Sequence, residues 1–223
     1  MNIGTGELLL DRKKQSIALT LVISFVLLGL LVFYYIFAFI PIEGNSMENT
    51  IHHRQYCLVL RQFNTISRGD IIVLEVPNDD NKGKHDIIKR VVGLSGDKII
   101  FMYSEDGEKV ELYICKKGEN KFKKQKENYI KEPMSAKNFK YIKDSYTEAN
   151  SYSDPMKYNP NLTKYDLDTI DQKTYHDLDE YIIYVPDMQV YFLGDNRNVS
   201  RDSRYYGSRP KDDVKYKLLT VVY

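Results

Sequence analysis

Hydrophobic positions are concentrated near the N-terminus in one uninterrupted run. No charged residue occurs from Gln15 to Ile42, and the 25 residues from Ser16 to Ile40 would rise about 37 Å as a helix at about 1.5 Å each. A bilayer core is about 30 Å thick, so this run can cross it with some tilt. A core helix would show a polar face, and a cleavable signal peptide would have a shorter apolar run before small residues. The pattern predicts an uncleaved transmembrane helix over residues 15–42.

From residue 43 onward, the pattern changes to short apolar runs rich in β-branched and aromatic residues. Turn signals such as Arg68-Gly69-Asp70 and Ser95-Gly96-Asp97 separate many of them. This punctuation predicts a mainly β, antiparallel domain over residues 43–223. Within it, residues 116–179 are rich in Lys, Tyr, Asn and Asp, which predicts a solvated, loop-rich insertion. The predicted strands are Tyr56–Leu60, Asp70–Val76, Ile87–Gly93, Lys98–Met102, Val110–Ile114, Glu180–Val185 and Val190–Leu193.

The distribution of charge argues against nucleic acid as a partner and predicts the direction in which the chain crosses the membrane. Lysine and arginine number 32 against 31 acidic residues, a formal net charge of +1, so no basic excess is present to hold a nucleic-acid backbone. Arg12, Lys13 and Lys14 precede the apolar run and Glu43 follows it. The positive-inside rule then places residues 1–14 in the cytoplasm and the β domain outside the membrane.

The cysteines and histidines predict neither a disulfide framework nor a metal site. Cys57 and Cys115 are too few for a disulfide framework, although one bond between them in an oxidising space stays open. No spacing of ligands predicts a metal. A histidine-based triad built on His52-His53 is disfavoured, because neighbouring strand residues point to opposite faces and no positioned aspartate is evident.

Lys89 stands in an otherwise apolar strand, where alternation places it on the same face as Ile87 and Val91. Burial there would lower its pKa and leave a neutral amine near physiological pH. Such an amine can act as a general base for a serine within hydrogen-bond reach. The strand pattern alone favours the alternative of an edge-strand lysine whose amine extends into water.

A dense group of charged residues follows the predicted strand Val190–Leu193. Asp195, Arg197, Arg201, Asp202 and Arg204 fall within ten residues. The alternative here is a surface turn with mixed ion pairs, but an ordinary turn does not need such density. The density indicates a hydrogen-bonded scaffold around a site.

Four segments follow one another along the chain. They are Ser46-Met47 with Thr50, then Arg68–Ile72 with Val76-Pro77, then Lys89–Gly93 with Gly96-Asp97, and last Gly194–Arg197 with Ser200, Asp202-Ser203-Arg204 and Gly207. In this order they resemble the nucleophile box, the box that follows it, the lysine box and the C-terminal box of the type I signal peptidases of bacteria. The insertion at 116–179 carries no motif of that family.

The resemblance implies a mainly β catalytic domain of signal-peptidase type, with Ser46 as nucleophile, Lys89 as general base and no cofactor. Ser200 would orient the Lys89 amine, and Asp202 with Arg204 would brace the site. Position 44 is glycine where some relatives have a serine that donates to the oxyanion, so the oxyanion hole would rest mainly on the backbone N–H of Ser46. By the same resemblance, the pocket for a small substrate residue would be lined by Ile42, Met47, Ile51, Ile87 and Ile88.

The implied substrate is a preprotein held in the membrane by its signal peptide, cleaved outside the bilayer after small residues in the Ala-x-Ala style. Lipid is the other expected partner, and we expect a monomer. Relatives in the endoplasmic reticulum use histidine in place of lysine, so Lys89 implies a bacterial cell membrane. The alternative function is a non-catalytic relative that assists assembly of surface structures such as pili. Such a relative is expected to have lost the serine or the lysine, and both are present.

Overall fold

The computed structural model describes residues 4–48, 50–78, 82–138 and 182–222. Most of the predicted insertion, from residue 139 to residue 179, and the first two residues of the predicted strand Glu180–Val185 lie outside the described residues. The insertion can therefore be discussed only over residues 116–138.

The N-terminal helix α1 runs from Gly4 to Ile36. Among the described residues it is the helix long and apolar enough to cross a membrane, over the 25 residues Arg12–Ile36, and none of that stretch is buried in the protein. Large apolar side chains are exposed on every side of it, which suits a lipid environment.

The predicted span is wrong at its C-terminal end, because Phe37–Pro41 forms strand β1. All five of its residues pair with β2, and because β1 is the edge strand of its sheet, the backbone groups that face β2 are the ones the sheet satisfies. Hydropathy alone does not separate an apolar strand from the apolar helix that it continues.

Strands make up most of the remaining structure. All seven predicted strands occur, Tyr56–Leu60 with the predicted bounds and the other six with shifted ones, and β1, β7, β10 and β11 were not predicted. The elements are β1 (Phe37–Pro41), β2 (Tyr56–Leu60), β3 (Ile71–Pro77), β4 (Lys84–Leu94), β5 (Lys98–Tyr103), β6 (Val110–Cys115), β7 (Lys123–Lys124), β8 (Ile183–Tyr184), β9 (Gln189–Leu193), the short helix α2 (Ser203–Tyr206), β10 (Arg209–Pro210) and β11 (Val214–Val222).

The described strands form two antiparallel sheets, as the sequence predicts. The larger has the order β1-β2-β11-β3-β4-β9-β10, and the smaller has the order β7-β6-β5-β8. Strand β4 therefore lies inside the larger sheet, between β3 and β9. In the register of β3 and β4, Ile72 lies opposite Lys89 and Ile71 lies opposite Arg90. The lysine predicted as a base is thus on an interior strand, not on an edge.

One hydrophobic cluster joins the two sheets. It brings Val92 and Leu193 of the larger sheet against Ile99 and Leu112 of the smaller one, and Met134 also packs into it. Met134 belongs to the predicted insertion, as does the buried Phe122. The expectation of a solvated segment is therefore wrong for these two side chains, although many neighbours between residues 116 and 138 are exposed.

The two cysteines lie in different sheets. Cys57 is on β2 and Cys115 is on β6. Both are buried and both carry free thiols. The disulfide that the sequence left open is therefore absent.

Candidate active site

Ser46 and Lys89 meet although 43 positions separate them in the chain. Ser46 lies in the turn that follows β1, and Lys89 lies on β4. A distance of 2.8 Å separates Lys89 Nζ from Ser46 Oγ, and the same Nζ donates to the carbonyl of Ile88 at 2.8 Å. Lys89 is 3% exposed. The two side chains are therefore placed for direct proton transfer.

The ionisation of Lys89 follows from its burial between apolar neighbours. Ile87 and Val91 flank it along β4, and Ile72 faces it from β3. Burial disfavours the ammonium and lowers the pKa of Lys89 to about 8, with a smaller lowering from Arg204. The carboxylates of Asp202 and Asp195 oppose this shift. A substantial fraction of this amine is therefore neutral in mildly alkaline solution.

The loop after β9 holds the turn that carries Ser46. Asn196 N–H donates to the carbonyl of Ser46 at 2.9 Å, and Asn196 Nδ2 donates to the carbonyl of Asn45 at 3.1 Å. Gly194 comes so close that a Cβ there would lie 2.5 Å from the Ser46 carbonyl oxygen. This approach requires glycine at position 194 and fixes the nucleophile against the loop.

Asp202 and Arg204, the two residues that the family resemblance implies as a brace, form a buried ion pair. Arg204 Nε and Nη2 donate to the two Asp202 oxygens at 2.8 and 2.9 Å, and neither side chain is exposed. Burial alone would raise the pKa of Asp202, but the Arg204 charge and the hydrogen bonds from Arg204 and from Gly194 N–H outweigh it and hold that pKa low. The pair is thus charged and pinned to the loop at Gly194.

A second ion pair, not predicted as part of the site, lies on the other side of Lys89. Arg90 Nε and Nη2 donate to the two oxygens of Asp195 at 2.8 and 2.6 Å. Thr50 Oγ1 also donates to Asp195. This arrangement ties β4, the nucleophile turn and the loop after β9 together. The sequence placed Asp195 in a dense polar segment and Arg90 beside Lys89, but neither observation identified the pair.

The dyad opens onto a cleft of about 670 Å³. Of the five residues predicted for the substrate pocket, Ile42, Ile87 and Ile88 line this cleft. Met47 and Ile51 do not: both are buried in the core with Ile42 and Ile88, and Met47 Sδ accepts a hydrogen bond from Asp195 N–H at 3.4 Å. The lining residues are Ile40, Pro41, Ile42, Glu43, Ser46, Val73, Asn78, His85, Asp86, Ile87, Ile88, Lys89, Arg201, Tyr206 and Tyr216.

Two further predicted residues lie in the site with contacts other than those expected. Gly44, at a φ of 86°, donates its N–H to His53 Nδ1 at 3.1 Å. Ser200 is 3% exposed and close enough to Asp202 to favour that carboxylate. Among the described residues, however, none forms a hydrogen bond of normal geometry with Ser200 Oγ. The contact between Ser200 and Lys89 is therefore not made in this structure.

The histidines near the nucleophile have other partners. His52 Nδ1 lies 2.8 Å from Glu48 Oε1 in an exposed pair, and His53 accepts the Gly44 N–H. No group of three or more potential metal ligands occurs in the part of the chain that the structure describes. The titratable side chain in contact with Ser46 Oγ is that of Lys89.

Comparison with known proteins agrees with this geometry. A family model described as signal peptidase, peptidase S26, matches residues 14–223. The chain belongs to the signal peptidase family. It is therefore a serine endopeptidase that cleaves signal peptides, and the predicted family is confirmed.

Individual relatives match over most of their length. Signal peptidase I S of Bacillus subtilis is 30% identical over 199 residues, covering 86% of this chain and 80% of that one. Signal peptidase I of Streptococcus pneumoniae is 27% identical over 184 residues, covering 78% and 76%. A crystal structure of a signal peptidase I from Enterococcus faecalis is 23% identical with a TM-score of 0.35, covering 71% of this chain and 100% of that one.

Proposed function

We propose that this signal peptidase works through a dyad in which Ser46 is the nucleophile and Lys89 is the general base. The observation that carries the proposal is the 2.8 Å contact between Lys89 Nζ and Ser46 Oγ at a buried lysine. The neutral amine takes the hydroxyl proton as Ser46 Oγ bonds to the scissile carbonyl carbon. The resulting ammonium gives that proton to the departing amine. Lys89 then activates a water that releases the acyl group from Ser46.

The negative charge that develops on the carbonyl oxygen needs donors. The Gly44 N–H is engaged by His53, so we assign the oxyanion to the backbone N–H of Ser46, as the sequence predicts. The turn that carries this N–H is fixed by the hydrogen bond from Asn196 to the Ser46 carbonyl. A donor held in place before the reaction stabilises the transition state without reorganisation.

The apolar wall of the cleft supports cleavage after small residues of the Ala-x-Ala type. Ile42, Ile87 and Ile88 line the cleft beside the dyad. Met47 and Ile51 pack behind this wall and are 1% and 0% exposed, so the wall has little room to retreat from a larger side chain. We therefore extend the pocket assignment to all five residues, with three in contact with substrate and two that fix the shape.

The proposal also includes the orientation of the chain in the membrane. Arg12, Lys13 and Lys14 precede the apolar stretch of α1, so we place the N-terminus in the bacterial cytoplasm and the domain from β1 onward outside, as a monomer in contact with lipid. A preprotein held by its signal peptide would then share one surface with the enzyme. Confinement to that surface raises their effective concentration.

The test uses the full chain in detergent micelles with an Ala-x-Ala preprotein, followed by the mass of the new N-terminus. Ser46→Ala and Lys89→Met should abolish cleavage. Two control variants remove a serine hydroxyl and a lysine amine elsewhere. Ser95→Ala removes a hydroxyl that donates to a backbone carbonyl. Lys84→Ala removes a lysine on the same strand as Lys89, whose amine pairs with Glu75 of β3. Both should cleave normally. Turnover by Ser46→Ala would refute the dyad, and an inactive wild type would favour the non-catalytic assembly factor.

A further inference from the structure

Part of the predicted insertion reaches the active-site loop. Glu127 lies just after β7, in a segment that carries no family motif. Its two oxygens accept hydrogen bonds from Arg197 Nη1 and Nη2 at 2.8 and 2.6 Å. Arg197 is 2% exposed and Glu127 is 15% exposed. Met134, further along the same segment, places its sulfur 3.0 Å from Arg204 Nη1. The segment is therefore attached to two of the arginines that follow β9.

Tyr129 connects the same glutamate to a third arginine. Its hydroxyl donates to Glu127 Oε1 at 2.8 Å, and Arg197 Nη2 lies 3.5 Å from that hydroxyl. The guanidinium carbon of Arg90 lies 4.0 Å from the centre of the Tyr129 ring, within the range of a cation–π contact. Glu127 and Tyr129 thus lie between Arg197 on one side and Arg90 on the other.

Arg90 and Arg197 are each connected to the dyad through the backbone. Arg90 is the neighbour of Lys89 on β4. Arg197 Nε donates to the carbonyl of Gly194 at 3.0 Å, at the start of the loop in which Asn196 N–H holds the Ser46 carbonyl at 2.9 Å. Displacement of Arg197 would therefore shift the backbone against which the nucleophile rests.

We propose that Glu127 is a positioning residue of this peptidase, which holds Ser46 and Lys89 in register through Arg197 and, with Tyr129, through Arg90. The proposal rests on the proposed Ser46–Lys89 dyad. A buried guanidinium needs a carboxylate partner. Without Glu127, the nearest alternatives on the same loop are Asp195 and Asp202, the carboxylates that already pair with Arg90 and Arg204 and flank Lys89.

The expected effect is on the chemical step and not on substrate binding. Glu127, Tyr129 and Arg197 are absent from the lining of the cleft. A small misplacement of reacting groups lowers rate by up to about 100-fold. We therefore expect Glu127→Gln to lower kcat by about 10- to 100-fold with KM unchanged. Glu127→Asp keeps the carboxylate and should restore part of kcat, whereas a role in folding alone would lower the yield of folded protein and leave kcat per folded molecule intact.

The experiment measures kcat and KM of the full chain in micelles, per mole of folded protein, with melting temperatures alongside. The matched control is Glu119→Gln, which removes a carboxylate on the same segment from an exposed pair with Lys123 and should leave kcat unchanged. Where Glu127→Gln does not fold, Glu127→Asp replaces it, because it keeps the charge that pairs with the buried Arg197 but shortens the side chain by one methylene and should still lower kcat.

Wild-type kcat in the folded Glu127→Gln variant, or in Glu127→Asp if that variant is needed, overturns the proposal. A higher KM at unchanged kcat overturns it as well. Ser46→Ala is measured in the same series to separate the two ideas. Turnover by Ser46→Ala refutes the dyad itself, whereas an inactive Ser46→Ala beside a fully active Glu127→Gln refutes only the positioning role.

Discussion

The pH dependence of cleavage should report the ionisation of Lys89. Burial lowers its pKa from 10.5 to about 8, which disfavours the ammonium by roughly 3 kcal/mol at about 1.4 kcal/mol for each pH unit. About half of the amine is then neutral at pH 8 and about 1% at pH 6, whereas an unperturbed lysine is only about 0.4% neutral at pH 8. We expect kcat/KM to rise about tenfold per pH unit below pH 8 and to level off above it.

The same shift makes a separate prediction about stability. The pKa of Lys89 is lower in the folded chain than in the unfolded chain, so between about pH 8 and pH 10.5 the unfolded chain binds more protons. The free energy of unfolding should therefore rise with pH across that window. Below pH 8 the burial penalty is present in full. Lys89→Met has no amine to titrate and should lack this contribution to the slope.

The assay is kcat/KM of the full chain in micelles from pH 5 to pH 10, at low and high salt, with melting temperatures of wild type and Lys89→Met over the same range. Salt should shift the midpoint little, because buried groups are poorly screened. Lys84→Ala, on the same strand but exposed, is the control for general effects of losing a lysine. A rate that is flat down to pH 5, a rate that climbs to pH 10 without a plateau, or an unchanged stability slope in Lys89→Met would refute the reasoning.

Three further predictions concern the residues around the base. The double variant Ser46→Ala with Lys89→Ala should be about as inactive as either single variant, because members of one catalytic unit act non-additively; additive losses in single-turnover rates would contradict this. Asp202→Ala removes the carboxylate that pairs with the buried Arg204 and should lower the free energy of unfolding by roughly 3–5 kcal/mol. An unchanged melting temperature would argue against the buried pair. Gly194→Ala should inactivate the enzyme, because its Cβ would lie 2.5 Å from the Ser46 carbonyl oxygen, and normal cleavage would show that the loop can retreat.

Regular alternation predicted the neighbours of Lys89, whereas its expected role as a base came from the family resemblance. A single period-2 pattern placed Lys89 among Ile87 and Val91, and the structure confirms an interior strand with Lys89 buried. The dense polar segment after β9 was expected to be hydrogen-bonded within itself, and Asp202 and Arg204 do pair two residues apart. These are local relations, and local relations are visible in a sequence.

The features that sequence reasoning missed depend on distant contacts or on an ambiguous pattern. Nothing in the composition around Glu127 indicates that its carboxylate meets Arg197, 70 positions away. Met47 was expected in the pocket because it adjoins the nucleophile, yet the turn directs its side chain into the core. Phe37–Pro41 is apolar like the helix that precedes it, so hydropathy does not mark where the helix ends. These residues form a strand through pairing with β2.

The direct junction between helix and sheet limits how far the active site can lie from the membrane. Helix α1 ends at Ile36 and β1 begins at Phe37, so the tether contains no slack. From Phe37 to Ser46 the chain has ten residues, and even fully extended it reaches at most about 35 Å. If α1 crosses the bilayer as proposed, Ser46 can lie no further than about 35 Å from the membrane end of that helix. We therefore expect cleavage only of preproteins that present the cleavage site within that distance of the lipid.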